Sequence, residues 1–324
     1  MRVLFIGGTG IISSACSELA LKRGIELYHF NRGQSHRKID GVKTIHGDIR
    51  DFSSAKDILS KYEFDVVVDW IAFVPAHVKQ DIEIFKGRIK QYIFISSASA
   101  YQKPVRKLPI TEKTPLENPF WQYSRDKIEC EKILFEEYKS SGFPVTIVRP
   151  SHTYDKTLIP IDWGYTTLHR MKKGKKTIIH GDGTSLWVLT HHKDFAVGFT
   201  GLLGKSEAIG EAFHITGEEL LSWNQIYELI ANELGVELKP IHIPSEVIAK
   251  FDPKMGASLL GDKAYSVIFD NSKIKSLVPE FKQTIFFEEG VKEIVEWYEK
   301  NLDFQVVNYE LDKLIDRIIE KYSN

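Results

Sequence analysis

The stretch that most constrains this chain is its opening, Met1-Arg-Val-Leu-Phe-Ile-Gly-Gly-Thr-Gly-Ile-Ile-Ser-Ser-Ala15. Residues 3–6 are a short apolar run, β-branched at both ends, of the kind buried on both faces as a parallel strand. Gly7, Gly8 and Gly10 follow at once. A helical pattern begins near Ile11 and stops at Gly24, a residue suited to ending a helix. Strand, glycine turn and helix in that order make a phosphate-binding unit: glycine lets a pyrophosphate approach bare backbone, and the helix start supplies N–H groups and partial positive charge. Ser13 stands where the usual fingerprint has a third glycine, which predicts slightly looser packing of helix on strand.

With 324 residues there is enough chain for one large or two moderate domains. A formal net charge of −1 lacks the basic excess of a dedicated nucleic-acid binder. The two cysteines, Cys16 and Cys130, form neither a disulfide framework nor a metal spacing, and Cys16 falls in the first helix as a small buried residue. No apolar run approaches the roughly 20 residues that span a bilayer. The first core strand begins at residue 3, which leaves no room for a signal peptide and predicts a cytoplasmic protein.

A second strand is expected over 25–31. It ends at Asn31, about 20 residues past the glycine turn, where a dinucleotide fold reads the adenosine ribose. An acidic residue there would select NAD. Asn31 does not repel a 2′-phosphate, and Arg32, with Arg37 and Lys38 close behind, could clamp one, so the cofactor is expected to be NAD(P) with NADP slightly favoured. Further strands are expected over 41–47, 64–70, 92–96 and 145–148, with Ser53 or Ser54 capping the helix after the third. Strands separated by helical stretches indicate βαβ units and a doubly wound α/β fold with a parallel, Rossmann-type sheet. Beyond Pro150 glycines and prolines break this rhythm, and amphipathic helices are expected over 223–234, 290–302 and 313–322. The expected division is a dinucleotide-binding domain over 1–150, to which 190–216 returns. A smaller mixed α/β substrate domain takes 151–189 and 217–324.

Three features then stand in register: Gly7-x-x-Gly10-x-x-Ser13, the run Ser96-Ser-Ala-Ser-Ala-Tyr101 after the fifth strand, and Tyr123-Ser-Arg-Asp-Lys127 on the next helix. Together they resemble the extended short-chain dehydrogenase/reductase family, its NAD-dependent epimerase/dehydratase group. The likeness covers nearly the whole chain, including Arg149-Pro150, Gly181-Asp-Gly183 and His191-His-Lys-Asp194. It implies an oxidoreductase or epimerase that moves a hydride to or from a sugar-like secondary alcohol, acting as a homodimer. It implies Tyr123 as acid/base, Lys127 beside it on one helix face and bonded to the nicotinamide ribose, and Ser97 holding the substrate oxygen, with Ser99 the other choice. Gly7, Gly10, Ile11 and Ile12 are implied at the pyrophosphate, Asn31 and Arg32 at the ribose, and Asp48 and Ile49 beside the adenine. A lysine ammonium next to a tyrosine favours the phenolate, which is how a group with a solution pKa of about 10 could act near neutrality.

The chain also departs from that pattern. Asp69-Trp-Ile-Ala-Phe73 replaces the usual sequence after strand four. Ala98 and Ser99 follow Ser97 where dehydratases carry an acidic pair, which disfavours a 4,6-dehydratase. Trp187 stands where nucleotide-sugar members carry an arginine for the diphosphate, His152 where they often have asparagine, and Asp155 where they have glycine. The Trp187 plane would suit the C–H face of a sugar ring, pointing to a smaller sugar derivative or a diphosphate sugar in an altered pose. Adjacent His191 and His192 face different ways, so no metal is expected there. The run Lys172–Lys176 reads as a solvated turn. The other reading of the whole chain is a regulatory or RNA-associated protein that keeps the fold and has lost the chemistry.

Overall fold

The computed structural model describes residues 1–305 and 307–322. The opening unit folds as β1 (Arg2–Ile6) and α1 (Ile11–Lys22), and Gly24 ends the turn after α1 with φ +75°. The next elements are β2 (Glu26–Asn31), β3 (Lys43–His46), α2 (Phe52–Ser60), β4 (Val66–Asp69) and α3 (Pro75–Phe85). They are followed by β5 (Gln91–Ile95), α4 (Gln122–Ser141) and β6 (Val145–Pro150). The cap of α2 differs from expectation. Asp51, not Ser53 or Ser54, holds the helix start by accepting from the Ser54 N–H at 3.2 Å, a role a carboxylate fills at least as well as a hydroxyl.

Among the described residues these six strands and Glu211–Ile215 form one seven-stranded sheet. Its order is Glu211–Ile215, β6, β5, β4, β1, β2, β3, parallel throughout. This is the doubly wound fold. Val3, Leu4, Phe5 and Ile6 are fully buried because helices cover both faces. On one face Ala15 and Cys16 of α1 pack with Phe195 and Phe199 of the helix His192–Leu202. On the other, α2, α3 and α4 supply Leu59, Val78, Ile84 and Leu134. Strand order reverses at β1, which lies between β2 and β4, so a crevice opens there outside the strand C-termini.

The rest of the chain builds a smaller layer of short strand pairs and helices. Thr177–His180 pairs with Pro240–Ile243, and Leu189–His191 with His152–Tyr154, both in parallel. The helices Trp223–Glu233 and Phe287–Lys300 pack Trp223, Tyr227, Val291 and Ile294 into a second core that includes Tyr101 and Ala98 from beyond β5. Tyr309–Tyr322 closes the described chain against a third cluster around Ile248 and Leu259. Among the described residues no helix is long and apolar enough to cross a membrane.

Candidate active site

A cleft of ≈ 390 Å³ opens at the reversal point, lined by Gly7, Thr9, Asn31, Arg32, Asp48 and Ile49, with Ile71 and Phe73 at its inner end. It brings together five of the residues expected for a cofactor: Gly7, Asn31, Arg32, Asp48 and Ile49. Gly10, Ile11 and Ile12 lie next to it at the start of α1, where the first N–H groups have no helical partner. The Ser13 hydroxyl is not idle: it accepts from the Gly10 N–H at 2.8 Å and so fixes the helix entry that a third glycine would leave open. Arg32 is exposed, 3.9 Å from the Asp48 carboxylate, and the Asn31 side chain is taken up by the Gly33 N–H at 2.9 Å. It is Arg37 that curls over the glycine turn, donating to Ser14 Oγ at 2.7 Å and to Asp155 Oδ2 at 3.0 Å.

The floor of the turn admits glycine alone. Gly7 and Gly8 have φ of +96° and +95°, and a Cβ at Gly8 would stand 2.5 Å from His29 Nε2. His29 cannot easily retreat, because it is buried and bonded to Ser17 Oγ at 2.8 Å; burial lowers its pKa to about 4, so the ring is neutral. The Gly8→Ala variant is expected to lose about 1–3 kcal/mol of stability from backbone strain alone, with nucleotide affinity falling too. A urea midpoint equal to the wild-type value would show that the turn accepts a side chain.

The three expected catalytic residues meet beyond the inner end of the cleft. Backbone after β5 turns sharply at Ala98–Ala100, and Ser97 caps that turn by accepting from the Ser99 N–H at 3.1 Å. The Ser97 hydroxyl is partly open, 2.9 Å from Ser99 Oγ, which in turn accepts from Ser124 Oγ at 2.8 Å. Ser99 is buried, so of the two serines it is the supporting one. Tyr123 lies on the first turn of α4, near enough to Ser97 for that hydroxyl to favour its phenolate form. Lys127, one turn on, is buried; its ammonium donates to Ala72 O at 2.6 Å and Ile95 O at 2.7 Å, and lies 4.9 Å from the Phe73 ring and 5.7 Å from that of Tyr123. Phe73 thus belongs to both the nucleotide cleft and the lysine pocket.

The electrostatics revise one expectation. Burial pushes the Tyr123 phenol up to about 12; the Ser97 hydrogen bond opposes this, and the Asp262 charge adds to it. The Lys127 ammonium, 5.7 Å from the Tyr123 ring, does not offset that burial, and burial lowers its own pKa to about 8. A folded-state pKa below the solution value means that the unfolded chain binds more protons between the two, so this group's contribution to stability rises with pH through that window.

A segment remote in sequence covers the serines. Asn118 Nδ2 donates to Ser99 O at 2.8 Å and to Gly261 O at 2.6 Å, which ties the short helical turn Leu259–Lys263 down beside Tyr123. Trp187 is not the open plane expected. It is buried, 5.3 Å from Trp223, and its Nε1 donates to His152 Nδ1 at 2.9 Å, so two residues at which the chain departs from the family pattern satisfy each other. Burial lowers His152 to about 3, leaving it a neutral acceptor. His191 caps a helix and pairs with Glu293 at 3.2 Å, and no metal-binding group of His, Cys, Asp or Glu exists among the described residues. Sequence reasoning gave Phe73 only as part of a departure after strand four and missed Asp262, which carries no local motif and is brought near Tyr123 only by the fold.

A parallel sheet with a glycine turn at its reversal point, followed by a Ser–Tyr–Lys cluster, is the arrangement of a protein of the short-chain dehydrogenase/reductase type. Residues 3–216 match the model of the NAD dependent epimerase/dehydratase family, and the chain belongs to that family. It is 28% identical over 269 residues to the chloroplast stem-loop binding protein of 41 kDa b from Arabidopsis thaliana, covering 78% of this chain and 66% of that protein. It is 33% identical over 169 residues to a UDP-glucose 4-epimerase from Lactobacillus helveticus, covering 46% of this chain and 51% of that enzyme. The chain thus spans between half and two thirds of these curated relatives. A dTDP-glucose 4,6-dehydratase from Bacillus anthracis, in complex with NAD, superposes with a TM-score of 0.74 at 22% identity, covering 94% of this chain and 98% of that one, which shows the shared fold.

Proposed function

We propose that this protein oxidises or reduces a secondary alcohol on a sugar-like substrate, as an oxidoreductase or epimerase, with Tyr123 moving the proton. The observation that carries the reading is the meeting of Ser97, Tyr123 and Lys127 beside Phe73 at the inner end of the nucleotide cleft. The glycine floor, which a Cβ at Gly8 would block, suits a pyrophosphate laid on bare backbone. A bound nicotinamide would supply the hydride acceptor or donor and, when oxidised, a positive charge near the phenol. The Lys127 ammonium has three N–H groups and commits two to carbonyls, which leaves one for a ribose hydroxyl. Ser97 orients the substrate oxygen, and Tyr123 gives or takes its proton. No carboxylate follows Ser97, so a 4,6-dehydratase is not part of the proposal. A homodimer in the cytoplasm belongs to it.

The test is to add NAD or NADP and a panel of sugars and sugar nucleotides, and to follow nicotinamide absorbance and epimer formation by NMR. Among the described residues the one ion pair of Arg32 is long, to Asp48, which leaves its exposed guanidinium able to meet a 2′-phosphate, so NADP is expected to bind at least as well as NAD. Arg32→Ala should weaken NADP more than NAD in calorimetry. A tenfold wild-type preference for NAD, about 1.4 kcal/mol, would refute the role given to Arg32.

The kinship with a protein named for stem-loop binding favours one second reading, an RNA-associated protein on this fold. RNA hairpin binding that weakens steeply with salt, with no sugar able to reduce added cofactor, would put that reading first.

A further inference from the structure

We propose that Asp69 and Asp81 hold one proton between them, and that this shared proton positions the loop Trp70–Phe73 at the inner end of the nucleotide cleft. The device belongs to the folded chain itself and operates with or without a bound dinucleotide.

The loop joins β4 to α3, and four titratable side chains hold its backbone. Asp69, the last residue of β4, accepts from the Ile71 N–H at 2.6 Å. Arg50 donates to Ile71 O. Lys127 donates to Ala72 O at 2.6 Å, and His77 Nδ1 accepts from the Phe73 N–H at 3.1 Å. Ile71 and Phe73 line the cleft, and a Cβ on Gly7 would lie 3.3 Å from Ile71 Cγ2, so the loop abuts the glycine turn.

Asp69 and Asp81, on α3, are both fully buried. One oxygen of each is satisfied: Asp69 Oδ1 by the Ile71 N–H, and Asp81 Oδ2 by the Tyr92 hydroxyl at 2.6 Å. The remaining oxygens, Asp69 Oδ2 and Asp81 Oδ1, are buried with no hydrogen-bond partner among the described residues. An ionised carboxylate only accepts, so two ionised groups would leave both oxygens bare. One proton between them makes a single O–H···O⁻ bond that satisfies both.

The surroundings agree. Burial first, and then Asp69, push the Asp81 carboxyl well above the usual carboxylate range, against the Tyr92 hydrogen bond and the Arg50 charge. Neither nearby cation takes the proton's place: Arg50 and Lys127 give their bonds to carbonyls, and Arg50 Nη1 has no partner among the described residues. Burial and Arg50 hold His77 below its ordinary pKa, so its ring is neutral at neutral pH. Burial and the two acids raise the Tyr92 phenol, which stays a donor. From α4, Cys130 acts on Tyr92 and Lys127, and Glu131 on Lys127.

Urea unfolding against pH reads the proton. The unfolded chain has released it above the ordinary Asp value of about 3.9, while the folded chain keeps it, so stability falls as pH rises towards the folded value. Between about pH 6 and 8 the unfolding constant of the wild type is expected to rise about tenfold per pH unit more steeply than that of Asp81→Asn, the slope of one proton. The amide N–H of that variant stands where the proton was, and the other titrations are common to both chains. Hydrogen exchange followed by mass spectrometry reads the loop. Asp81→Ala strands Asp69 Oδ2 and is expected to speed exchange at Ile71 and Phe73 about tenfold or more, whereas Asp81→Asn should stay within about twofold of wild type. Should the alanine variant not fold, Asp81→Val fills the space and still lacks the donor. Parallel pH curves for wild type and Asp81→Asn would overturn the shared proton. Wild-type exchange in Asp81→Ala or Asp81→Val, or equal acceleration in Asp81→Asn, would overturn its hold on the loop. Neither measurement uses a nucleotide, so both outcomes are separate from whether NAD saturates the protein.

Discussion

Tyr123→Phe is expected to lower turnover on the true substrate by about 10²–10⁴-fold, the range for removing a general acid–base group, with dinucleotide binding retained. The substitution deletes one hydroxyl from a ring that packs 4.9 Å from Trp121, and that packing survives in Phe. What is lost is the hydroxyl that lies near Ser97 and is proposed to move the proton. Ser97→Ala should lower turnover with Tyr123 intact, and Lys127→Ala should harm binding and rate together, because that ammonium holds the loop at Ala72 and keeps an N–H for the proposed ribose contact. Titration adds a second check. With its pKa near 12, the Tyr123 phenol of the free protein stays protonated well above neutrality. The difference in phenolate absorbance between wild type and Tyr123→Phe should therefore appear only at strongly alkaline pH. It should move down when oxidised cofactor is added, since a nearby positive charge favours the phenolate. Full turnover in Tyr123→Phe would refute the assigned mechanism. A phenolate near pH 7 in the free protein would refute the dominance of burial.

Arg149→Met is expected to destabilise the protein by about 3–5 kcal/mol, the cost of leaving a buried charge without its partner. Arg149 on β6 and Glu131 on α4 are both buried and meet at 2.5 Å through Nη2 and at 3.0 Å through Nε. Burial opposes the arginine charge, but Glu131 and Tyr101 more than offset it and hold its pKa above the ordinary value. The same carboxylate accepts from Ser96 Oγ at 2.5 Å, and Arg149 donates to Tyr101 Oη at 3.1 Å, which is 3.0 Å from His214 Nδ1. Glu131 is one turn beyond Lys127, so this pair pins to the sheet the helix that carries both Tyr123 and Lys127. A fall in the urea midpoint is the readout. The double variant Arg149→Met/Glu131→Leu, which removes both charges, should recover much of the loss. Wild-type stability in Arg149→Met would mean that the pair contributes nothing net.

What could be read from the sequence was local. The apolar run of β1 is buried on both faces because its residues have no polar alternation, and the glycines after it mark the positive-φ turn. Tyr123 and Lys127 share a face because four residues make about one helical turn. These patterns depend on neighbours in the chain, so the parallel sheet and its crevice could be written down before any coordinates, while Ser97, Tyr123 and Lys127 are singled out by the resemblance to a family, and their catalytic roles are proposed.

What only the tertiary structure decided came from burial and from residues distant in sequence. Covalent order does not reveal that Lys127 donates to the carbonyls of Ala72 and Ile95, nor that burial governs Tyr123. Trp187, placed by counting at a ligand position, is closed off by Trp223 and His152, partners supplied by other strands and helices. Arg37 reaches Asp155, and Lys103 faces Asp262, only because loops from two layers converge over the strand ends. Local periodicity determined the scaffold and the motif. Desolvation and long-range charge, which exist only once the chain has closed on itself, decided the protonation of the site.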